Sequence, residues 1–156
     1  LQPTKLNMFV LLDNVHIFEP MKEVKIIPSL IRDFNRVKQA IDYTGINNGS
    51  IHMSDIDAFL EFNDTHLILF EFKYKNNTLP YGQELGLTRI VNRWGKNGIL
   101  FRVSHNVPAN EPLISMVSCK ITDYYHNGKW SVSKEQDVVK VLNTLGLHWN
   151  LKKLKF

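Results

Sequence analysis

Three side chains suited to hydrolytic chemistry lie close together in the chain: Asp57, Glu71 and Lys73. Two carboxylates held side by side repel and raise one another's pKa unless a cation neutralises them. Mg²⁺ suits such a pair, because it prefers oxygen ligands and keeps water and substrate phosphate oxygens beside one or two carboxylates. The metal would polarise a phosphate and acidify a bound water, and a nearby ammonium would orient that water or stabilise developing charge. Phosphodiester hydrolysis is the chemistry that follows. The plainer alternative is a surface ion pair of strand-end charges beside a turn acid.

Which of these applies depends on the elements that carry the residues. Two apolar runs, 56–62 and 67–74, flank Asn63-Asp64-Thr65-His66, which has turn composition, so a β-hairpin is expected. A turn centred on Asp64 makes Asp57 the partner of Glu71. Directly opposed residues have Cβ atoms roughly 4.5–5.5 Å apart. Lys73 then points to the same face, about 7 Å further along the strand. The other face carries Ile56, Ala58, Leu60, Phe62, Ile68, Phe70, Phe72 and Tyr74, an apolar surface that must pack against a second layer. Phe59, Leu67 and Leu69 on the carboxylate face are apolar too, which predicts a strand pair buried on both sides with the carboxylates at its open end.

Around the hairpin, segment 1–28 reads as short strands or an extended arm, punctuated by Pro20 and Pro28. Leu30, Ile31, Phe34, Val37 and Ile41 share one helical face, predicting a helix at about 29–43 with Ser29 as N-cap and Gly45 as stop. A second helix is expected from Pro80 to Trp94, with Asn76-Asn77-Thr78 as cap-type residues and Gly95 closing it. Strands follow at 98–104 and 113–125. Asn127-Gly128 is a turn leading to a return strand at Trp130 and Val132. A last helix is placed at about 133–145, with Ser133 and Gln136 in capping-box spacing and Val138, Val139, Leu142 and Leu145 as its apolar side.

Asp57, then Glu71-Phe72-Lys73 at the end of an apolar strand, then Gln83 in the next helix, resembles the motif of the PD-(D/E)XK nuclease superfamily. The likeness covers about 29–104, and in 54–61 and in Glu71-Phe72-Lys73-Tyr74 through Pro80-Tyr81-Gly82-Gln83 it is most similar to small phage-type members. The resemblance implies an α/β (α+β) fold with a restriction-endonuclease-like core, a central mixed β-sheet flanked by helices. The implied order is roughly α-β-β-β-α-β, here with an added C-terminal strand pair and helix (113–156), in a single domain spanning 1–156. It makes Asp57 and Glu71 metal ligands and Lys73 the catalytic lysine, and Gln83 matches the glutamine of the RecB-like branch. The proline of the superfamily's name is absent, since Ser54-Asp55 and Ile56-Asp57 precede the strand. Asp55 is therefore a rival ligand, a second ligand or a partner of the lysine. The first helix offers Asp33 and Asp42 but no glutamate.

The activity so implied is that of a Mg²⁺-dependent endodeoxyribonuclease, with Mn²⁺ as substitute, acting on DNA that small relatives often take in branched or structured form. A nuclease fold that has lost catalysis and serves nucleic-acid or protein binding, as a phage accessory or anti-defence protein would, is the alternative. Arg89, Arg93 and Lys96 recur at helical spacing and, with Lys75 and Arg102, are candidates for phosphate contact; a solvated helix face is the competing reading. Gly82 and Gly86 suggest close packing of the helix, and Tyr81 and Trp94 are core or base-stacking residues. His105 is near enough in sequence to approach the site. The histidines show no zinc-site spacing, and no phosphate loop or nucleophile elbow is present.

The 156 residues, 44% hydrophobic, suffice for one real core, and the formal charge of +4 is compatible with a polyanionic partner without identifying one. No run approaches a membrane span. The single cysteine, Cys119, cannot form an internal disulfide, which favours a reducing cytoplasm, the host's if the protein is phage-encoded. It reads as a small buried hydrophobe inside a strand. Whether the chain forms a homodimer is left open.

Overall fold

In a computed structural model, which describes residues 54–111 and 113–156, the hairpin forms about the loop 63–65. Asn63 and Asp64 both take the left-handed backbone region, φ 51° and 57°. Asn and Asp tolerate that region because their short side chains bond locally, and the handedness matches the twist of the flanking strands. Thr65 N–H closes the loop on Phe62 O at 2.9 Å. The strands are β1 (Ala58–Phe62) and β2 (His66–Tyr74), paired with Ala58 opposite Phe70 and Phe62 opposite His66. That register is the one inferred from the turn. The predicted arm at 1–28 and helix at about 29–43 lie outside the described residues.

Helix α1 (Tyr81–Arg93) follows, and its C-terminal side abuts the start of β3 (Gly98–His105). A Cβ at Gly98 would stand 2.6 Å from Val91 O and 2.8 Å from Trp94 Cβ, so only glycine permits this approach. Gly95, at φ 56°, turns the chain between them. β3 runs parallel to β2, pairing Leu67 with Gly98 and Tyr74 with His105. β4 (Lys120–His126) and β5 (Lys129–Val132) then add antiparallel strands, joined by Asn127 and Gly128 at positive φ. The result is a five-stranded mixed sheet in the order β1-β2-β3-β4-β5. Helix α2 (Val138–His148) closes the fold.

Alternation along the strands sends the two core clusters to opposite faces of the sheet. Ile68, Phe70, Ile99, Phe101, Val103 and Ile121 pack with Val138 and Leu142 of α2. Leu67, Leu69, Leu100 and Tyr125 pack with Leu87 and Val91 of α1. β2 and β3, covered on both faces, are accordingly the most apolar strands. The described residues thus form an α+β fold with a mixed sheet between two helices. Neither helix among the described residues is long and apolar enough to cross a membrane.

Several expected boundaries move. Asn76–Thr78 do not cap α1; its N-cap is Pro80, without a side-chain cap bond. α2 starts at Asp137, whose side chain accepts from Lys140 N–H at 2.9 Å, rather than at Ser133. Ser133 instead donates to Glu135 O within the preceding turn. Val141, not Val139, joins the core beside Leu145. Residues 113–118 are not strand: a short 3-10 turn at Met116–Ser118 precedes β4. Cys119 sits at the end of that turn, buried as expected, with its thiol 3.3 Å from Ser115 O and its pKa raised by burial.

Candidate active site

β2 carries Glu71 and Lys73 past the point where β1 ends, so that edge of β2 has no partner in β1 there. Asp57 lies one residue before β1, where the register would oppose it to Glu71. It turns instead to accept the Phe72 N–H through Oδ2 at 2.7 Å, a charge-assisted bond that anchors the open strand end. Lys73 Nζ donates to Glu71 Oε1 at 2.7 Å and to Gln83 Oε1 at 3.2 Å. Gln83, in the first turn of α1, reaches on through Nε2 to Asp55 Oδ1 at 3.5 Å, a long contact. The hairpin and α1 thus bring Glu71, Lys73, Gln83 and Asp55 into one chain of contacts, with Asp57 bonded to the backbone beside them.

Glu71 is the energetic centre of the group. It is 1% exposed, and Oε2 has no hydrogen-bond partner among the described residues. Burial pushes its carboxyl above the usual value, against the pull of the Lys73 hydrogen bond, and the charges of Asp57 and Asp55 push it further up. Lys73 is the opposing influence, by hydrogen bond and by charge. A carboxylate that burial and two like charges disfavour, with one oxygen left unpaired, is a site short of positive charge. Asp55 and Asp57 are both exposed, so the open side of the group faces solvent.

Among the described residues no three His, Cys, Asp or Glu side chains stand close enough to form a metal cage by themselves. Glu71 Oε2 and one neighbouring acid, Asp57 or Asp55, are the groups that could serve an oxygen-preferring cation of the kind that takes one or two protein ligands and completes its shell with water or phosphate.

The remaining candidates divide. Arg89, Arg93 and Lys96 are exposed on α1 and the turn after it. Lys75 follows β2 at φ 53°, its ammonium 5.0 Å from the Tyr74 ring centre, and Tyr74 alternates onto the face away from Lys73. Arg102 sits beside Glu71 in the parallel register but turns to Asp123, with Nε 3.0 Å from Oδ2 and Nη2 2.5 Å from Oδ1. His105 does not approach the site: it alternates onto the opposite face, with its ring 5.8 Å from that of Tyr74. Tyr81 is 81% exposed and so is no core residue, while Trp94 packs on the α1 core. A Cβ at Gly82 or Gly86 would meet nothing within 4 Å among the described residues, so neither glycine serves close packing there. Phe59, expected to be buried, is 62% exposed because β1 is the edge strand of the sheet.

Sequence reasoning missed Asp123, Glu84 and Trp130, which surround Arg102 on the same sheet face. Trp130 Nε1 donates to Glu84 Oε1 at 2.8 Å, and the Arg102 guanidinium lies 5.6 Å from the Trp130 ring centre. Only the order of the strands, with β4 and β5 beyond β3, reveals their nearness. No protein-family model, curated protein or solved structure matches the chain.

Proposed function

We propose that this protein is a metal-dependent nuclease that hydrolyses phosphodiester bonds of DNA, with Asp57, Glu71, Lys73 and Gln83 as its working residues. The observation that carries the reading is the buried Glu71 carboxylate, one oxygen on Lys73 and the other unpartnered among the described residues, with two further acids near enough to raise its pKa. A resemblance to PD-(D/E)XK nucleases in the same residues supports it, as does the α+β architecture with a mixed sheet.

Glu71 Oε2 and Asp57, with Asp55 beside them, would hold Mg²⁺ or Mn²⁺, which when bound supplies charge neutralisation and Lewis acidity at the scissile phosphate. The chain's own residues do the rest. Lys73 has three N–H donors, of which Glu71 and Gln83 take two. The third is left to orient the attacking water or to stabilise charge on a non-bridging phosphate oxygen. Gln83 steadies the ammonium, so that Lys73 loses little freedom when substrate arrives. The Phe72 N–H fixes one oxygen of Asp57 and leaves the other for the cation.

The test is cleavage of single-stranded, duplex, flap and four-way-junction DNA by purified protein with Mg²⁺ or Mn²⁺. Cutting that chelator abolishes is expected, and its absence on all four substrates would overturn the proposal. Unchanged DNA affinity after Asp57→Ala, in a protein that also binds no Mn²⁺, would favour a fold kept for binding alone.

A further inference from the structure

We propose that the cleft bordered by Glu84, Arg102, Asp123 and Trp130 is a nucleotide subsite that receives a base carrying an exocyclic amino group, cytosine, adenine or guanine, and discriminates against thymine. It deepens the nuclease reading by naming what lies beside the scissile phosphate.

The cleft lies on the face that carries Glu71. Register runs from Glu71 to Arg102 on β3, to Asp123 on β4 and to Val132 on β5, one row across the sheet. With neighbouring strands about 4.8 Å apart, Asp123 stands roughly 10 Å across the sheet from Glu71. A nucleotide adjoining a phosphate held at Glu71 would fall in that interval. Gln83 and Glu84 are consecutive residues of α1, the first bonded to Lys73 and the second to Trp130, so one helical turn borders both places. The cavity is about 320 Å³, with Ser131 and Val132 completing its wall. That lies at the small end of ligand pockets.

The lining groups specify the occupant. Arg102 commits two of its five N–H donors to Asp123, which holds the guanidinium in one orientation and leaves three donors. The guanidinium carbon lies over the Trp130 ring, 5.6 Å from its centre, and the guanidinium and indole together offer a base a surface to stack on. Thr122 Oγ1, at the β-bulge beside Arg102, lies 2.6 Å from Asp123 Oδ2 and helps to fix that carboxylate. Two carboxylates against one guanidinium leave a net negative cleft, which keeps a nucleotide's phosphate outside it. It favours a neutral base that donates from an amino group to Glu84 or Asp123 and accepts from Arg102 at a keto or ring-nitrogen atom. Cytosine, adenine and guanine offer both, whereas thymine has no amino group. A purely structural role for the ion pair would leave the cleft indifferent to nucleotides.

The experiment follows the Trp130 indole N–H by nuclear magnetic resonance in the full chain, assigned with Trp130→Phe, during titration with dCMP, dGMP and dTMP. A saturable shift is expected with dCMP and dGMP, and binding of dTMP should be roughly tenfold weaker. Val132 is 80% exposed and lines the cleft, so Val132→Trp should block it with little effect on the core and abolish the shift. Circular dichroism checks that this variant folds. No saturable shift up to about 10 mM, equal affinity for dTMP, or undiminished binding by folded Val132→Trp would each overturn the proposal. The comparison of the three nucleotides on the unaltered chain decides the matter even if the variant fails to fold. None of these measurements needs cleavage. Protein that binds dCMP but cuts no DNA keeps the subsite and loses the nuclease reading.

Discussion

Replacing Glu71 by glutamine should stabilise the metal-free protein while removing its cation site. In the folded chain Glu71 Oε1 accepts from Lys73 at 2.7 Å and the buried Oε2 has no partner among the described residues. Leaving a buried polar group unsatisfied costs about 1–3 kcal/mol, and more if it is charged. Glutamine keeps an acceptor for Lys73 but leaves a neutral amide, not a charge, in the unpaired position. The weaker bond to Lys73 offsets part of the gain, so the net effect at neutral pH is about 1 kcal/mol in favour of the variant. For a chain of this size that is a rise of about 2–4 °C in Tm. The pH dependence gives the sign independently. Because burial raises the Glu71 pKa above its ordinary 4.5, the folded state holds the proton where the unfolded state has released it. Stability therefore falls as pH rises from about 4.5 through the folded value, and each tenfold displacement of that equilibrium is worth about 1.4 kcal/mol. Glu71→Gln should lack this loss, so its advantage over the unaltered chain should be absent below pH 4.5 and full at pH 8. Urea unfolding in chelator from pH 4 to pH 8 measures it. Adding Mn²⁺ should reverse the order at pH 8: the unaltered chain gains about 2.7 kcal/mol at a hundredfold excess over Kd, and the variant gains none. A variant less stable than the unaltered chain at pH 8 in chelator would refute the reasoning, because Lys73 would then compensate the buried charge completely.

Lys73→Ala should abolish metal-dependent cleavage, by about a hundredfold or more, while DNA affinity in a fluorescence anisotropy titration changes little. Gln83→Ala should leave folding intact and lower the cleavage rate by roughly tenfold, since it frees the ammonium rather than removing it. Gly98→Ala forces a methyl group against Val91 O and should cost about 1–3 kcal/mol, read from the midpoint of a denaturant titration. Asp137→Ala removes the cap on α2 and should cost about 1 kcal/mol by the same measurement.

The hairpin was legible because antiparallel pairing about a short turn is arithmetic. Once Asn63 and Asp64 make the loop, each residue of β1 has one partner on β2, and Asp57, Glu71 and Lys73 are tied to one strand end. Both helices showed themselves through apolar periodicity, and Gly95 through its need for positive φ. The start of α2 was misread because Ser133 and Asp137 are both good caps, and packing of Val138 and Leu142 on the sheet chooses between them. The segment before β4 was misread because Leu113 and Ile114 suit a strand in composition yet are exposed here.

By itself the sequence determined which residues can do chemistry and which of them share a strand, since those relations depend only on local geometry. Tertiary structure decided the rest. Parallel pairing of β2 with β3 has no turn to announce it, and it is this pairing that sets Arg102 beside Glu71 and, through β4, brings Asp123 into the same row. Burial is likewise a property of the assembled sheet. It is burial that turns Glu71 from an ordinary strand-end acid into a carboxylate with a raised pKa and one oxygen unpartnered among the described residues.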